Sequence, residues 1–448
     1  MKKIWAICCT LFLVLSLSAC AKTAQVDSSA AESMSGASST SNASATDAEE
    51  KNVVLRLSTF ASDTDLAWWQ KGVDAFVESN DVGVTAVEVE VSPWTEYWDK
   101  LSTQIVAQTQ PDVIMMVSME SEFLIESGAL LNLTPYIERD NFDVSDFWDA
   151  VTPAYTDADG NRYCLPYDMS TILMCANMDL LEAEGIEHPG DKPWTMDEFI
   201  EICQRLTKKD DAGNVTQYGV IDNNFLDWVY YDAILSTGGT LLGDNGLPNF
   251  VSDRSVDLLQ FLTDLTWKYE VAPIPASGDS TSGSTIFQAG QAAFDLNCNP
   301  QWVAIYKESM PDANLDVIPQ PWGETAFNGG YTEGGSWACG SNTKYPDQAW
   351  ALMSSIVSKD TIGNVVADGH LGIPGRQSLS ERMLASANAV EHSNLYFTEI
   401  EGCEWQTWAN KTQVMDTFVQ YAERCYLNGE DAEKVMGELQ EAIAPLAE

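Results

Sequence analysis

The sequence predicts an α/β protein of two lobes, on three observations. Short apolar runs with a period of two alternate with longer runs of helical period from residue 53 onward. Strands and helices that alternate in this way form mostly parallel sheets covered by helices. The length of 448 residues is enough for roughly two or three domains. Residues 157–178 hold a tight turn and then a buried strand, and we interpret them as the first passage from one lobe to the other.

The N-terminus has the pattern of a processing signal. Lys2 and Lys3 precede an apolar run, Ile4–Leu17, which is too short for a membrane span. The sequence Leu17-Ser18-Ala19-Cys20 resembles a bacterial lipobox, which implies that Cys20 becomes the mature N-terminus and carries diacylglycerol. Acyl chains hold a protein on a membrane because each buried CH₂ group contributes about 0.8 kcal/mol. The alternative is an ordinary signal peptide in which the cysteine is incidental.

Residues 21–50 consist mainly of Ser, Ala, Thr and Asp. Such a stretch cannot bury enough apolar surface to offset the entropy of ordering it, so it predicts a flexible tether. We therefore predict a lipoprotein signal peptide at residues 1–20 and a tether at residues 21–50. The remainder is predicted to lie at the extracellular face of a Gram-positive-like cell membrane, attached by lipid.

The charge balance disfavours several classes of partner. Asp and Glu number 67 against 23 Lys and Arg, which gives a formal net charge of −44. This balance argues against nucleic acid and against an anionic membrane surface as partners, so that membrane attachment would be by the lipid anchor only. It also disfavours strongly anionic ligands unless the fold builds a local basic pocket.

The cysteine and histidine residues lack metal-binding spacing. Seven cysteines follow Cys20 without a CxxC pair, which predicts no disulfide framework, although Cys403 and Cys425 form one candidate pair. The three histidines, His188, His370 and His392, stand alone in loop-like segments and are expected to be solvated. We therefore predict no metal and no cofactor.

Three loops of the first lobe follow predicted strands. Alternating apolar residues predict strands at Val53–Thr59 and Val87–Val91, and Pro111–Met116 is a short apolar strand. In open α/β sheets, ligands bind beyond the carboxyl ends of the strands. One wall of a cleft is therefore predicted at three loops, which are Phe60–Asp63, Trp94–Tyr97 and Val117–Glu120.

The stretch from Asp157 to Met178 combines turn and strand signals. Asp159-Gly160 predicts a tight turn, because Gly adopts positive φ without steric cost. Pro166 lacks an amide donor, which restricts it to an edge strand or a strand end. An apolar run at Ile172–Cys175 then predicts a buried strand. Tyr167 and Asp168, between the two, are predicted to lie at the seam of the lobes.

This stretch also carries a family resemblance. The letters DGNRYCLPYD, the apolar strand and Asn177-Met178-Asp179 resemble the extracellular solute-binding proteins, family 1, of ABC sugar importers. Similar pieces follow in the same order, namely WTMDEF at 194–199, F-x-x-G-x-A-A at 287–293, GGSW at 334–337 and P-x-R at 374–376. The resemblance implies a type II periplasmic-binding-protein-like fold with hinge crossings between two lobes.

The predicted lobes are discontinuous in sequence. We assign residues 51–165 to the first lobe, with a returning part at about 300–355. Residues 166–299 form the second lobe, and the later helices, at about 356–448, are shared between the lobes.

The cleft loops and the resemblance together select the candidate ligand-binding residues. Indole and phenol rings offer flat apolar faces for the C–H face of a sugar, and carboxylates and amides bind its hydroxyl groups. The candidates are Phe60, Asp63, Trp94, Glu96, Tyr97, Glu120, Tyr167, Asp168, Trp228, Tyr231, Asn297, Asn299, Tyr331, Glu333, Gly335, Trp337 and Arg376. Of the aromatic residues, Trp337 is the first choice.

Structural interpretations stay open for several candidates. Trp94 either stacks on a sugar or packs under its loop, and Glu96 is also an acid favoured at the first turn of a helix. Asn297 and Asn299 either bind hydroxyl groups or form the turn before Pro300. For Arg376 in so acidic a chain, an ion pair is the alternative to a ligand contact.

The function that the resemblance implies is that of a monomeric substrate-binding lipoprotein of an ABC transporter. It would capture a sugar or oligosaccharide as the lobes hinge shut, and deliver it to two transmembrane permease subunits driven by a cytoplasmic ATPase. The alternatives are an extracellular glycoside hydrolase, or a binding protein for another polar solute such as a polyamine or a glycerol phosphodiester. No GxSxG or HExxH motif supports an enzyme. The identity, linkage and length of the sugar stay open.

Overall fold

The computed structural model describes residues 52–61, 63–190, 192–222, 226–237, 240–274, 282–322, 329–369, 372–403, 405–408 and 410–447. All of these residues belong to one compact unit, Glu49–Glu448. The predictions for the signal peptide, Cys20, the tether and His370 lie outside the described residues.

Twelve strands and sixteen α-helices are found in the described residues. The strands are β1 Val53–Thr59, β2 Val84–Val91, β3 Val113–Val117, β4 Cys164–Pro166, β5 Asp168–Met169, β6 Leu173–Asn177, β7 Lys208–Lys209, β8 Val215–Ile221, β9 Ala292–Cys298, β10 Leu315–Ile318, β11 Gly335–Cys339 and β12 Ile373–Pro374. The helices are α1 Asp63–Ser79, α2 Trp94–Val106, α3 Ser118–Glu126, α4 Thr134–Asp140, α5 Met178–Ala183, α6 Met196–Leu206, α7 Leu226–Leu235, α8 Asp253–Trp267, α9 Ser282–Gln288, α10 Pro300–Ser309, α11 Pro346–Ile356, α12 Lys359–Ile362, α13 Ser380–Leu384, α14 Leu395–Gly402, α15 Lys411–Asn428 and α16 Ala432–Ile443.

Two five-stranded sheets define the two lobes. The first sheet has the order β2-β1-β3-β11-β4, and the second has the order β10-β6-β9-β8-β7. In the first sheet β1 is parallel to β2 and β3, as the β-α-β-α-β pattern predicts. The α/β class predicted from the alternation of strands and helices is therefore confirmed.

The strand directions are more mixed than predicted. β11 lies antiparallel to both β3 and β4. In the second sheet β8 and β9 are parallel, whereas the other three pairings are antiparallel. Most of the antiparallel pairs involve β4, β6, β10 and β11, which border the crossings between the sheets and do not belong to local β-α-β units. The remaining pair, β7 and β8, consists of strands adjacent in sequence.

The chain passes between the sheets at two places that flank a cleft. It leaves the first sheet at β4 and enters the second at β6, and it leaves the second at β10 and re-enters the first at β11. Pro166 ends the edge strand β4, as predicted. The return to the first sheet comes at β11, later than the predicted position near residue 300, because β10 still pairs with β6. A two-stranded sheet of β5 and β12 lies beside the first crossing.

Each lobe has a large apolar core. In the first lobe, Leu55, Trp69 and Trp337 are buried in one cluster. In the second lobe, Phe199, Phe294 and Phe418 are buried in another. None of the described helices combines the length and apolar content that a membrane span requires.

Local sequence signals explain several helix ends. At the start of α6 a capping box is present, since Thr195 Oγ1 accepts from Glu198 N–H and the Glu198 carboxylate accepts from Thr195 N–H. Asn299 caps α10 by accepting from Trp302 N–H, and Pro300 follows it at the first helical position. These caps hold the loops that lead into each helix.

The structure shows the pairing state of the cysteines and the contacts of two histidines. All seven cysteines of the described region are free and buried, so that Cys403 and Cys425 form no disulfide in this structure. The expectation that the histidines stand alone is wrong for two of them. The rings of His188 and His392 stack with centroids 3.9 Å apart, and both side chains approach Asp316.

Each of the two histidines already has a hydrogen-bond partner. His188 Nδ1 accepts from Gly190 N–H at 2.9 Å, so that its Nε2 carries the proton and donates to the carbonyl oxygen of Val317 at 3.0 Å. His392 Nδ1 lies 2.6 Å from Asp316 Oδ2. These bonds join the 186–190 loop and the 390–394 segment to β10.

Candidate functional site

A cavity of about 470 Å³, the main cavity, lies between the two sheets. Its volume falls within the range of about 300–1,000 Å³ that is typical of small-molecule sites. Residues from the ends of β1, β2 and β3, from both crossings, and from the starts of two second-lobe helices line it. They are Phe60, Ala61, Asp65, Trp69, Trp94, Met115, Val117, Met119, Tyr167, Asp168, Ser170, Trp228, Asn299, Gln301, Glu333, Gly334 and Gly335.

The first-lobe wall carries an exposed indole ring. Trp94 opens α2 directly after Pro93, and 46% of its surface is exposed. Its ring meets Phe60 edge to face at a centroid distance of 4.9 Å and Trp98 at 5.6 Å. These neighbours fix the orientation of the Trp94 ring while nearly half of the residue stays exposed, and a stacking platform requires both.

The seam between the lobes carries two carboxyl groups. Asp168 Oδ1 accepts from Gly335 N–H at 2.7 Å. Burial raises the pKa of Asp168 to about 7, and the nearby charge of Asp65 adds to the rise. Both oxygens of Glu333 accept from hydroxyl groups, one from Ser118 and the other from Tyr331. The seam therefore holds hydrogen-bonding groups in fixed positions.

The second-lobe wall adds another indole ring and two amides. Trp228 lies on α7 and packs against Tyr331 at a centroid distance of 5.6 Å. Asn299, besides capping α10, donates through Nδ2 to Ser170 Oγ at 3.2 Å. Gln301 lines the cavity beside it. The two lobes thus present aromatic and polar groups to the same space.

Eight of the residues predicted from the sequence line the main cavity. They are Phe60, Trp94, Tyr167, Asp168, Trp228, Asn299, Glu333 and Gly335. They come from six separate segments of the chain, and their convergence follows from the carboxyl ends of the parallel strands and from the crossings. Whether each one contacts a ligand stays a prediction.

Trp337, the first aromatic choice, does not line the cavity. It is fully buried in β11 and packs against Trp69 at 5.2 Å and Tyr167 at 6.1 Å. Tyr97 is buried as well, and its hydroxyl group donates to the carbonyl oxygen of Met115 at 2.8 Å. Both residues support cavity-lining side chains from the core, so that they position the site without reaching its surface.

Three further candidates are buried away from the main cavity. Tyr231 packs against Tyr331 and Phe418, at 5.6 and 5.4 Å, and Tyr331 holds Glu333 through its hydroxyl group. Asn297 is buried in β9. Their aromatic or amide character suggested ligand contact, but Tyr231 in α7, Asn297 in β9 and Tyr331 in the segment before β11 are all buried.

The remaining candidates also lie elsewhere. Arg376 is buried, donates to the carbonyl oxygen of Val357 at 2.8 Å and pairs with Asp146 at 3.4 Å, so that it has the structural use considered as its alternative. Glu96 is an exposed first-turn acid of α2. The side chain of Asp63 lies outside the described residues. Glu120 lines a second cavity, described below.

The comparisons with known proteins agree with this geometry. Residues 61–361 match the family model of the bacterial extracellular solute-binding proteins. The chain belongs to this family. Individual proteins are also similar to this chain in sequence. A binding protein of Brucella abortus is 24% identical over 63% of this chain and 67% of its own length. The arabinooligosaccharide-binding protein of Bacillus subtilis is 24% identical over 85% of this chain and 77% of its own.

Solved structures share the fold of this solute-binding protein. An ABC substrate-binding protein from Listeria monocytogenes in complex with cycloalternan has a TM-score of 0.74 at 20% identity, covering 88% of this chain and 99% of that chain. The GacH receptor of Streptomyces glaucescens has a TM-score of 0.75 at 17% identity, with 89% and 99% coverage. The predicted two-lobe fold is therefore confirmed.

Several lining residues of this family member escaped the sequence analysis. Trp69 and Met115 lie in elements whose apolar pattern indicates core, yet they border the cavity from beneath. Ser170 and Gln301 each lie within two residues of a predicted candidate, and Met119 lies in the predicted cleft loop Val117–Glu120 but was not named as a candidate. For Ser170 and Gln301 the only sequence signal is this proximity to a crossing or a strand end.

Proposed function

We propose that this solute-binding protein captures a sugar or oligosaccharide in the main cavity. The observation that carries the proposal is the pair of indole rings, Trp94 and Trp228, which enter one cavity from opposite lobes. Aromatic faces pack on the apolar faces of sugar rings, and a ring held between two such faces is bound by both lobes at once. A ligand bound in this way stabilises the closed arrangement of the lobes.

The polar groups between the two rings suit hydroxyl groups. The Asp168 carboxyl group, the Asn299 and Gln301 amides and the backbone at Gly334 supply both donors and acceptors. Relatives support this ligand class, since one binds arabino-oligosaccharides and another, from Streptomyces coelicolor, is a diacetylchitobiose binding protein at 22% identity. Among the described residues, no Lys or Arg lines the main cavity, which disfavours a glycerol phosphodiester.

Delivery to a membrane transporter completes the proposed function. Two transmembrane permease subunits, driven by a cytoplasmic ATPase, would receive the sugar from the closed, monomeric form. Attachment through Cys20 and the 21–50 tether would keep the protein at the extracellular face of the membrane. No nucleic acid, metal or cofactor takes part.

Binding rather than hydrolysis is the function that the carboxyl groups support. A glycoside hydrolase needs an acid and a second carboxylate that are free to act on the substrate. Glu333 already accepts a hydrogen bond at each oxygen, and Asp168 accepts one from the backbone. These bonds fix the two groups as parts of the wall.

Isothermal titration calorimetry with a panel of neutral glycans tests the proposal. We expect at least one glycan to bind, and Trp94→Ala and Trp228→Ala each to weaken binding about tenfold or more, because truncating a central aromatic contact costs about 2 kcal/mol or more. Trp267→Ala is the matched control, since that indole is exposed to 42% and lies away from the cavity. Binding of a polyamine or a glycerol phosphodiester but of no glycan, or release of shorter sugars from the glycan, would contradict the proposal.

A further inference from the structure

A second cavity of about 830 Å³ adjoins the main cavity. The outer face of α3, the segment 156–163 and the start of α15 form its walls. Met119 lines both cavities, so that the two meet at this side chain. The second cavity is the larger of the two, and its volume also falls within the range of about 300–1,000 Å³ for small-molecule sites.

The walls of the second cavity offer three kinds of contact. The ring of Phe123, exposed to 67%, and the rings of Tyr163 and Trp408 provide apolar faces. The indole N–H of Trp408 is a donor without a hydrogen-bond partner among the described residues. The ammonium group of Lys411 donates to the carbonyl oxygen of Gln406 at 3.2 Å and has two further N–H groups. Carboxylates such as that of Glu120 provide acceptors.

This combination of contacts favours a ligand that carries hydroxyl groups. An unpartnered, buried donor favours a ligand acceptor, and the carboxylates favour ligand donors. Hydroxyl groups serve as both, and the flat faces suit a sugar ring between them. A polyamine would use the carboxylates but would leave the Trp408 indole N–H without an acceptor.

Contacts across the lobes border the second cavity. Glu122 of α3 accepts from the Trp405 indole N–H at 3.2 Å and from the Thr407 hydroxyl group. Thr412 Oγ1 lies at 3.5 Å from Glu120 Oε1, and burial raises the pKa of Glu120. The cavity is therefore complete only when the two lobes are together, as is the main cavity.

We propose that the ligand is an oligosaccharide long enough to pass Met119, and that its further sugar units bind in the second cavity. This inference rests on the proposed function and assigns the chain length that the main cavity alone leaves open. Phe123 would stack on a distal unit, and Trp408 and Lys411 would donate to its oxygen atoms.

Calorimetry with one homologous series of neutral glycans, from one to five units, tests the inference. We expect affinity to rise about tenfold or more between the shortest glycan that binds and the longest. Phe123→Ala is expected to remove most of that gain, whereas Trp94→Ala weakens binding at every length. Val106→Ala, an exposed apolar truncation in α2 of the same lobe, is the control and leaves the gain in place.

The outcomes separate this inference from the function on which it rests. Affinity that is independent of length, or a gain that survives Phe123→Ala, overturns the second binding region and leaves the sugar-binding function intact. Tighter binding of an amine-bearing series than of the neutral one overturns the assignment of the cavity to neutral hydroxyl groups. The absence of binding at every length overturns both.

Discussion

Gly335 sits where the first sheet, the seam and the main cavity meet. A methyl group there would overlap the Tyr167 ring and lie 2.5 Å from Asp168 Oδ1. Both neighbours line the cavity, so the substitution displaces the seam wall. We expect Gly335→Ala to weaken glycan binding about tenfold or more, measured by calorimetry.

Gly437 provides the control for this substitution. It lies in α16, and a methyl group there meets no atom within 4 Å. Gly437→Ala should leave binding unchanged and raise the free energy of unfolding by about 0.4–1 kcal/mol, because it restricts the unfolded chain. Equal effects of the two substitutions on binding would contradict the role of Gly335.

Asp168 predicts a pH dependence of ligand binding. Burial raises its pKa to about 7, so the carboxylate that accepts from ligand hydroxyl groups is formed only as the pH rises through that value. We expect affinity for the glycan to increase between about pH 6 and pH 8. Asp168→Asn should flatten the profile, and a profile that is identical in this variant would show that another group is responsible.

At the level of single residues, the sequence locates strand ends better than side-chain directions. Trp94 and Tyr167 were predictable, because each follows or ends a strand at the cleft edge. Trp337 lies two residues beyond Gly335 on the same strand, a rise of about 6.6 Å, which takes its ring below the cavity into the core. The glycine-rich motif at 334–337 does not indicate that the Trp337 ring lies in the core and not at the cavity surface.

Among the elements, α7 and α14 meet through two buried carboxyl groups. Asp232 accepts from the Trp322 indole N–H at 3.0 Å and from Tyr331 N–H at 3.2 Å. Glu399 lies close by, and Gly330 fits against both carboxyl groups. Burial raises the pKa of Asp232 and of Glu399, and the charge of Asp232 raises the pKa of Glu399 further.

This pair predicts that stability falls with rising pH. The folded pKa values are raised above the unfolded values of about 4, so the contribution to stability is full below about pH 4 and is lost as the pH rises through the folded values. We expect Glu399→Gln to stabilise the protein relative to the wild type at pH 8 more than at pH 5, by on the order of 1–3 kcal/mol. Chemical denaturation at both pH values measures the difference.

The exposed carboxylate of Glu441 in α16 supplies the comparison for that experiment. Glu441→Gln should change the free energy of unfolding little at either pH. If the effect of Glu399→Gln is independent of pH, the buried pair does not titrate in the folded protein.

Helices were predictable where their capping residues and apolar spacing lie within one short segment of the sequence. The capping box of α6 needs only Thr195 and Glu198, and the apolar spacing of α8 is visible within one segment. The contact between α7 and α14 joins segments far apart in sequence, and no periodicity indicates it. The same holds for the stacked His188 and His392, which the fold alone brings together.

For the whole molecule, the alternation of strands and helices was enough to predict two α/β lobes with a cleft. The alternation was not enough to predict the direction of each strand, because β4, β10 and β11 pair through contacts that depend on both crossings. The second cavity also escaped prediction, since it forms between α3 and α15, which come from different lobes.

Both lobes are needed to form the proposed binding site. Neither lobe alone supplies both indole rings, and the hydrogen bonds from Trp405 and Thr407 to Glu122 join the lobes beside the second cavity. A ligand that contacts both walls therefore favours the closed form by its differential affinity for that form.

A crystal structure of the full chain with a bound neutral oligosaccharide would show whether one ligand contacts both lobes. We expect a sugar ring packed between Trp94 of the first lobe and Trp228 of the second, with further units past Met119 toward Phe123. A glycan that contacts only one lobe, or that binds outside both cavities, would contradict this expectation.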